Sequence, residues 1–236
     1  HGRIEQDELA AVFGRRYVVN PMRGYGGTAH GILASLARGE PWRETSGEVF
    51  GGMGSMGNGG AMRVAPVGAY FADDLARVVA EARASAEVTH AHPEGQAGAI
   101  AIAVAGAWAV RRGTSSAPSS PAELFDLVLD LTPPGETRQG IELARGLPLD
   151  LSVMTAASVL GNGIRVISPD TVPFCLWCIA RHLDDYEEAM WATVSGLGDR
   201  DTTCAIVGGI VVLSCGRERI PADWLAAREP LAFESS

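Results

Sequence analysis

Hydrophobic residues recur every three or four positions along most of the chain, which is the period of a helix that buries one face. Near the start, this pattern places Leu9, Val12 and Phe13 on one side of a first helix. No stretch shows the strict alternation of apolar and polar residues that is typical of a half-buried strand. The pattern therefore predicts an all-α fold, and a chain of 236 residues is expected to form a single domain over residues 1–236.

Two stretches are apolar on every side. Residues 97–110 carry no charge and consist largely of alanine and glycine, and residues 204–213 are similarly apolar. A helix without a polar face belongs in a protein core. The first stretch is also shorter than the roughly 20 residues that a membrane-spanning helix needs. Both stretches are therefore predicted to be buried helices, and no membrane partner is expected.

The composition narrows the class of protein. Hydrophobic residues make up 47% of the chain and charged residues 20%, and the formal net charge is −9. This charge argues against nucleic acid or an anionic membrane as a partner. No signal peptide is visible, and the four cysteines lie in apolar helical patterns, so we expect reduced thiols and a cytoplasmic protein. Cys175 and Cys178 form a C-x-x-C pair but lack the second pair of a zinc site, which favours buried thiols, with a redox pair as the alternative.

The first candidate binding element is a glycine-rich stretch at residues 46–60, which has neither helix nor strand periodicity. Glycine can adopt positive φ, so such a loop can turn its backbone N–H groups toward an anion. Ser55 and Asn58 add polar side chains at its centre, and a helix is predicted directly afterwards. We therefore expect a phosphate cradle, with a flexible surface loop as the alternative. The stretch is not a Walker or Rossmann motif, because it lacks the Lys-Ser/Thr pair and the preceding strand.

The second candidate element is the turn at residues 196–203, which leads into the apolar stretch 204–213. Asp199, Asp201 and the hydroxyl of Thr202 are hard oxygen donors, which suit Mg²⁺, Mn²⁺ or Ca²⁺ better than Zn²⁺. The alternative is an ordinary helix cap, in which Asp201 or Thr202 accepts from free backbone N–H groups.

His90 and His92 lie in a predicted junction between two helices. Zinc is not expected there, because no cysteine or third histidine is close in sequence. We expect one of the two histidines to face a ligand and the other to face solvent.

Four segments in this order resemble the ADP-ribosylglycohydrolase family. They are Gly54-Ser55-Met56-Gly57-Asn58-Gly59-Gly60-Ala61-Met62-Arg63, then Thr89-His90, then Gly161-Asn162-Gly163, and finally Gly198-Asp199-Arg200-Asp201-Thr202. The resemblance implies an orthogonal multi-helix bundle with two Mg²⁺ ions, or Mn²⁺, at its mouth. It also implies cleavage of the glycosidic bond at C1″ of ADP-ribosyl groups on proteins or small molecules.

The resemblance also implies roles for individual residues. Asp199 and Asp201 would be catalytic, and together with Thr202 they would be the metal ligands. Substrate-binding roles would fall to Ser55, Met56, Gly57, Asn58, Gly59, His90, Gly161, Asn162 and Gly163. The implied partner is ADP-ribose or an ADP-ribosylated protein, and no residue is assigned as the general base.

One part of the family pattern is not in this sequence. The family carries a Thr-Asp-Asp segment, preceded by a Gly-Asp-Ala-Leu-Gly helix, which supplies the first half of its metal site. We expect that this segment belongs to an upstream part of a longer chain, or that the protein is a relative that binds ADP-ribose without turnover. A purely structural protein, as some lens crystallins that resemble this family are, is disfavoured because clustered carboxylates repel one another without a ligand.

Overall fold

The computed structural model describes residues 2–114 and 120–229, and helices account for most of both ranges. The helices are α1 (Gln6–Val19), α2 (Gly27–Ala37), α3 (Trp42–Gly47), α4 (Val49–Gly52), α5 (Gly59–Met62), α6 (Ala65–Tyr70), α7 (Leu75–Glu87), α8 (Pro93–Thr114), α9 (Pro121–Leu131), α10 (Glu136–Gly146), α11 (Val153–Leu160), α12 (Ser168–Arg181), α13 (Tyr186–Ser195), α14 (Arg200–Cys215) and α15 (Ala222–Ala227). In these ranges the chain forms no sheet, and its β-pairing is one isolated bridge between Gly57 and Ile167. The predicted all-α fold is confirmed.

The central helix is α8, which contains the apolar stretch 97–110. Most of its 22 residues are buried, and it contacts α5, α6, α7, α9, α10, α12 and α14. Its alanines and glycines let neighbouring backbones come very close. A Cβ atom added to Gly68 of α6 would lie 2.1 Å from the carbonyl oxygen of Ala103. Because interiors are close-packed, these small residues fix the spacing of the helices around α8.

Helices α12 and α14 complete the main core. Every residue of α12 from Thr171 to Ala180 is buried, and α12 packs against α8, α10 and α14. Cys175 and Cys178 lie in this buried stretch as free thiols. Burial raises the pKa of both, to about 12 for Cys178, so neither is a thiolate at neutral pH. The structure thus favours buried thiols over a redox pair.

A second, smaller hydrophobic cluster joins α1, α2 and α3 to the end of α7. Its buried members are Ala10, Ile32, Leu33, Leu36, Trp42 and Val88. The indole N–H of Trp42 donates to Asp7 Oδ1 at 2.7 Å, which ties α3 to α1. The prediction of a single domain over the whole chain stays a prediction.

The loops that precede α5, α8, α12 and α14 meet at one end of the bundle. Only the start of the glycine-rich stretch is regular, because α3 extends to Gly47, whereas α4 is a single turn in which Phe50 and Gly51 have left-handed backbone. What remains is the segment 53–58, which leads directly into α5 and which we call the glycine loop. Within the two described ranges, no helix is long and apolar enough to cross a membrane.

Candidate functional site

Asp199 caps α14. Its Oδ1 atom accepts a hydrogen bond from the backbone N–H of Thr202 at 3.4 Å, so the cap is Asp199 and neither Asp201 nor Thr202. The carboxylates of Asp199 and Asp201 are close enough for the protonation of one to depend on the other. Burial raises the pKa of Asp199, and the interaction with Asp201 raises it further, whereas the same interaction lowers the pKa of Asp201. The two carboxylates are therefore close enough to share a proton or a cation.

The hydroxyl of Thr202 completes this group of oxygens. Thr202 is buried, and its Oγ1 atom donates to Met62 Sδ at 3.5 Å. A thioether is a weak acceptor, so the hydroxyl can exchange this contact for a ligand. Two carboxylates and a hydroxyl within one helical turn fit a hard divalent cation such as Mg²⁺, which takes one or two carboxylates and fills its shell with water or substrate oxygens. Among the described residues no group of three or more His, Cys, Asp or Glu side chains could hold a metal ion.

The glycine loop is joined directly to this carboxylate pair. The side-chain amide of Asn58, which is only 3% exposed, donates to Asp199 Oδ2 at 2.8 Å and to Thr171 Oγ1 at 3.0 Å. The backbone holds the loop as well, because the N–H of Asn58 donates to the carbonyl of Val166 and that of Ser168 donates to Met56. The loop is thus fixed between α12 and α14.

Four of the loop's backbone N–H groups are already in use, and those of Met53 and Gly54 both donate to the carbonyl of Val49. The N–H of Gly57 donates to Ser55 Oγ at 3.1 Å, and that of Asn58 is bonded to Val166. By contrast, the N–H groups of Met56 and Gly59 donate no hydrogen bond within the described part of the chain. An anion bound by the loop in this conformation would therefore use these free donors.

The ring of His90 packs against Gly57 and Gly59, whereas His92 meets the loop through its backbone, beside Gly54. Cβ atoms added to Gly57 and Gly59 would lie 3.2 and 3.3 Å from His90 Nε2. Burial, together with the positive charge of Arg63, lowers the pKa of His90 to about 3, so the ring is neutral at physiological pH. His92 instead accepts from the N–H of Glu94 at the start of α8. Of the two histidines, His90 is the one whose ring lies at the loop.

The turn at residues 161–163 supports Asp199 from the other side. The carbonyl of Asn162 accepts from the N–H of Asp199 at 3.2 Å, and its side-chain amide donates to Gly196 at 2.8 Å. Gly163 has φ +84°, and a Cβ atom there would lie 2.8 Å from Asp199 Cβ, so only glycine fits. Gly161 lies against Asp170. In this structure Asn162 and Gly163 position Asp199.

Three non-glycine residues of the described ranges have left-handed backbone, and all three lie in segments that lead into this site. Phe50 precedes the glycine loop, Val166 precedes α12 and Leu197 precedes α14. All three side chains are exposed and apolar. Positive φ is costly for such residues, above all for a β-branched valine, and backbone strain of this kind is concentrated at functional sites.

Comparison with known proteins identifies the family of this chain. The model of the ADP-ribosylglycohydrolase family matches residues 2–234. The chain belongs to the ADP-ribosylglycohydrolase family. This confirms the resemblance that the four sequence segments carry.

Relatives in this family include vertebrate enzymes. The chain is 30% identical to mouse ADP-ribosylhydrolase ARH3 over 94% of this chain and 66% of that protein. It is 29% identical to human ADP-ribosylhydrolase ARH3 over 94% of this chain and 68% of that protein. The chain thus spans about two thirds of the length of these relatives.

A solved structure shows the same fold. A chain of an "ADP-ribosylglycohydrolase-related protein complex" superposes with a TM-score of 0.62, at 23% sequence identity, over 97% of this chain and 77% of its own length. The similarity covers the whole helical arrangement described above.

Sequence reasoning within the ADP-ribosylglycohydrolase pattern missed three residues of the site. Thr171 holds Asn58 from α12, Met62 contacts Thr202, and Arg63 lies behind His90. Met62 and Arg63 do fall inside the first family segment, directly after the glycine loop. Thr171 carries no local signal, because its partner lies 113 residues away in the chain.

Proposed function

We propose that this protein hydrolyses the glycosidic bond at C1″ of ADP-ribosyl groups, in keeping with its family. The observation that supports this most directly is the 2.8 Å hydrogen bond between Asn58 and Asp199. It places the free N–H donors of the glycine loop beside a pair of carboxylates. An ADP-ribosyl group needs both features, because its diphosphate is an anion and its distal ribose offers hydroxyls next to the bond that breaks.

The loop and His90 would bind the diphosphate. Backbone N–H groups, such as those of Met56 and Gly59, bind phosphate oxygens through partial positive charge without adding a side chain to the cleft. The Ser55 hydroxyl contacts another group of the same loop, the N–H of Gly57, so it can rotate toward a bound phosphate. This binding energy comes from a part of the substrate remote from C1″, so it can serve to hold the reacting ribose in place.

Asp199, Asp201 and Thr202 would hold a divalent cation, Mg²⁺ or Mn²⁺. When bound, such an ion acts as a Lewis acid that fixes and polarises oxygen ligands. Asn58, Asn162 and the backbone of α14 keep the Asp199 carboxylate in position. Negative charge close to C1″ would stabilise the oxocarbenium-like centre that glycoside hydrolysis develops. The second ion of the family pattern is expected to need carboxylates beyond those of the described residues.

The direct test is hydrolysis of ADP-ribosyl-arginine and ADP-ribosyl-serine with Mg²⁺ or Mn²⁺ added, together with calorimetry of ADP-ribose binding. Both measurements use this chain and a longer form that includes the sequence encoded upstream of His1. We expect ADP-ribose to bind to both forms and turnover to depend on the metal. Binding without turnover in both forms would assign the protein to a second function, an ADP-ribose-binding module. Absence of binding in both would contradict the proposal.

A further inference from the structure

Arg63 is a partly buried cation directly behind the glycine loop. It follows α5, and its side chain crosses to α7, where Nη2 donates to the carbonyl of Ser85 at 2.7 Å and to Thr89 Oγ1 at 2.8 Å. The guanidinium also lies over the ring of Phe13, 4.9 Å from its centroid. Its Nε atom is buried and has no partner in the described part of the chain. Burying a charge in this way is costly, so a function for it is expected.

The hydroxyl of Thr89 connects this cation to His90. Thr89 Oγ1 lies 2.8 Å from Arg63 Nη2 and 2.7 Å from His90 Nδ1. A guanidinium can only donate, so the Thr89 oxygen accepts from Arg63 and its own hydrogen is left to give. That hydrogen has two acceptors within reach, the ring nitrogen at 2.7 Å and the carbonyl of Ala86 at 3.5 Å. The shorter and stronger bond is the one to the ring nitrogen.

This arrangement favours a proton on Nε2 of His90 over one on Nδ1. If Nδ1 accepts from Thr89, a neutral ring must carry its proton on Nε2. Nε2 is the atom that faces Gly57 and Gly59, and it makes no hydrogen bond within the described residues. His90 is 8% exposed, and its ring lies against the loop that would hold the ligand.

We propose that Arg63 is a positioning residue that acts through Thr89 to hold His90 in the Nε2–H tautomer, so that the imidazole presents an N–H donor beside the glycine loop. As to the ligand, this inference rests on the proposed function: the donor would face a phosphate oxygen of ADP-ribose. Arg63 touches no ligand itself. Its charge acts on His90 through the hydrogen bonds of Thr89, and chains of hydrogen bonds polarise one another in a low-dielectric interior. Nη1 of Arg63 also donates to the carbonyl of Gly59 at 3.5 Å, next to the loop.

The electrostatics of the site explain why a positive charge behind the glycine loop is useful. The chain carries a net charge of −9, and Asp199 and Asp201 lie across the loop from His90. A diphosphate must bind close to these carboxylates, so a partly buried positive charge behind the loop offsets their repulsion. Burial lowers the pKa of Arg63 to about 10, which still leaves it protonated at neutral pH.

The test combines NMR with calorimetry on the ligand-free and ADP-ribose-bound protein. The ring ¹⁵N shifts of His90 report the tautomer, and we expect the Nε2–H form in the wild type from pH 5 to 8. Thr89→Val removes the hydroxyl at nearly constant volume, and it should mix the tautomers and weaken ADP-ribose binding about tenfold. Thr89→Ser restores the hydroxyl, and it should return both readouts to within about twofold of the wild type.

The role of the Arg63 charge is tested with Arg63→Gln. The control is Arg83→Gln, which removes the same charge from an exposed position on α7. Arg63→Gln should weaken ADP-ribose binding and Arg83→Gln should leave it unchanged. An Nδ1–H tautomer in the wild type would overturn the inference. So would a Thr89→Val variant with unchanged tautomer and affinity. If the wild type fails to bind ADP-ribose at all, the proposed function is wrong, and the tautomer measurement still decides the role of Arg63 and Thr89.

Discussion

The side-chain amide of Asn58 lies 2.8 Å from the Asp199 carboxylate, although the two residues are 141 positions apart in the chain. One hydrogen bond thus links the element that would bind the diphosphate to the element that would bind the metal. A ligand that orients one element therefore also orients the other, so binding of the diphosphate and binding of the metal are expected to be thermodynamically coupled.

Replacement of Asn58 by alanine should weaken both binding events. Asp199 and Thr171 would each lose a buried donor, which costs roughly 1–3 kcal/mol where the remaining group is unsatisfied. We expect the affinities for ADP-ribose and for Mn²⁺ to fall about tenfold or more, as measured by calorimetry. Asn20→Ala, the same change at an exposed position, is the control. Loss of one affinity with the other intact would show that Asn58 does not couple the two elements.

The metal assignment is tested at Asp201. Asp201→Asn keeps the shape of the side chain but removes a charge from the oxygen group, so Mg²⁺ and Mn²⁺ should bind far more weakly. Isothermal titration of either ion into both proteins measures this. Asp223→Asn changes the charge equally at an exposed site on α15 and should have no effect. Equal affinity in Asp201→Asn and wild type would remove Asp201 from the ligand set.

Alanine substitutions at Gly57 and at Gly54 of the glycine loop should have different effects. A Cβ atom at Gly57 would lie 3.0 Å from Ser55 Oγ and 3.2 Å from His90 Nε2, so Gly57→Ala should lower ADP-ribose affinity more than stability. Gly54 has φ +75°, and a Cβ atom there would lie 2.6 Å from the backbone nitrogen of His92. Gly54→Ala should therefore destabilise the fold by more than about 1 kcal/mol, as measured by urea unfolding.

Gly31, in the middle of α2, is the control for both substitutions. Nothing lies within 4 Å of a Cβ atom there, so Gly31→Ala should raise the free energy of unfolding by about 0.5–1 kcal/mol. An unchanged ADP-ribose affinity in Gly57→Ala would exclude this loop as the diphosphate site. An unchanged stability in Gly54→Ala would contradict the close contact with His92.

His90 should make the fold sensitive to acid. Its pKa is about 3 in the folded protein and near 6.5 when the ring is free in solution, so the unfolded state binds more protons between these values. The contribution is fully present above pH 6.5 and is lost as the pH falls toward 3, by up to about 1.4 kcal/mol per pH unit. Urea unfolding at several pH values should show a shallower loss for His90→Gln than for the wild type. Parallel curves would mean that His90 is solvated in the folded state.

The sequence predicted the helices well because helix formation follows from local periodicity. It placed the apolar stretch 97–110 inside α8 and anticipated the cap-like role of the turn before α14. It named Asp201 or Thr202 as the possible cap, and this was wrong, because the cap is Asp199 and its position depends on the left-handed backbone of Leu197 and Gly198.

The site was less predictable, because its geometry depends on contacts between distant segments. The family pattern named Asn58 and Asn162, but local sequence carries no sign that both hold Asp199. Positive φ was expected of the loop glycines in general, and it occurs at Gly54 but not at Gly57. The role of Gly57 therefore comes from the space it leaves for His90.

The close contact between Gly68 of α6 and Ala103 of α8 also limits the substitutions that this protein can accept during evolution. A single methyl group added at Gly68 would clash with the backbone of α8, so substitution at this position is strongly restricted. Phe50, Val166 and Leu197 are exposed instead, in segments that lead into the site. Substitution of these side chains can therefore change the surface at the rim of the site while the packing around α8 stays as it is.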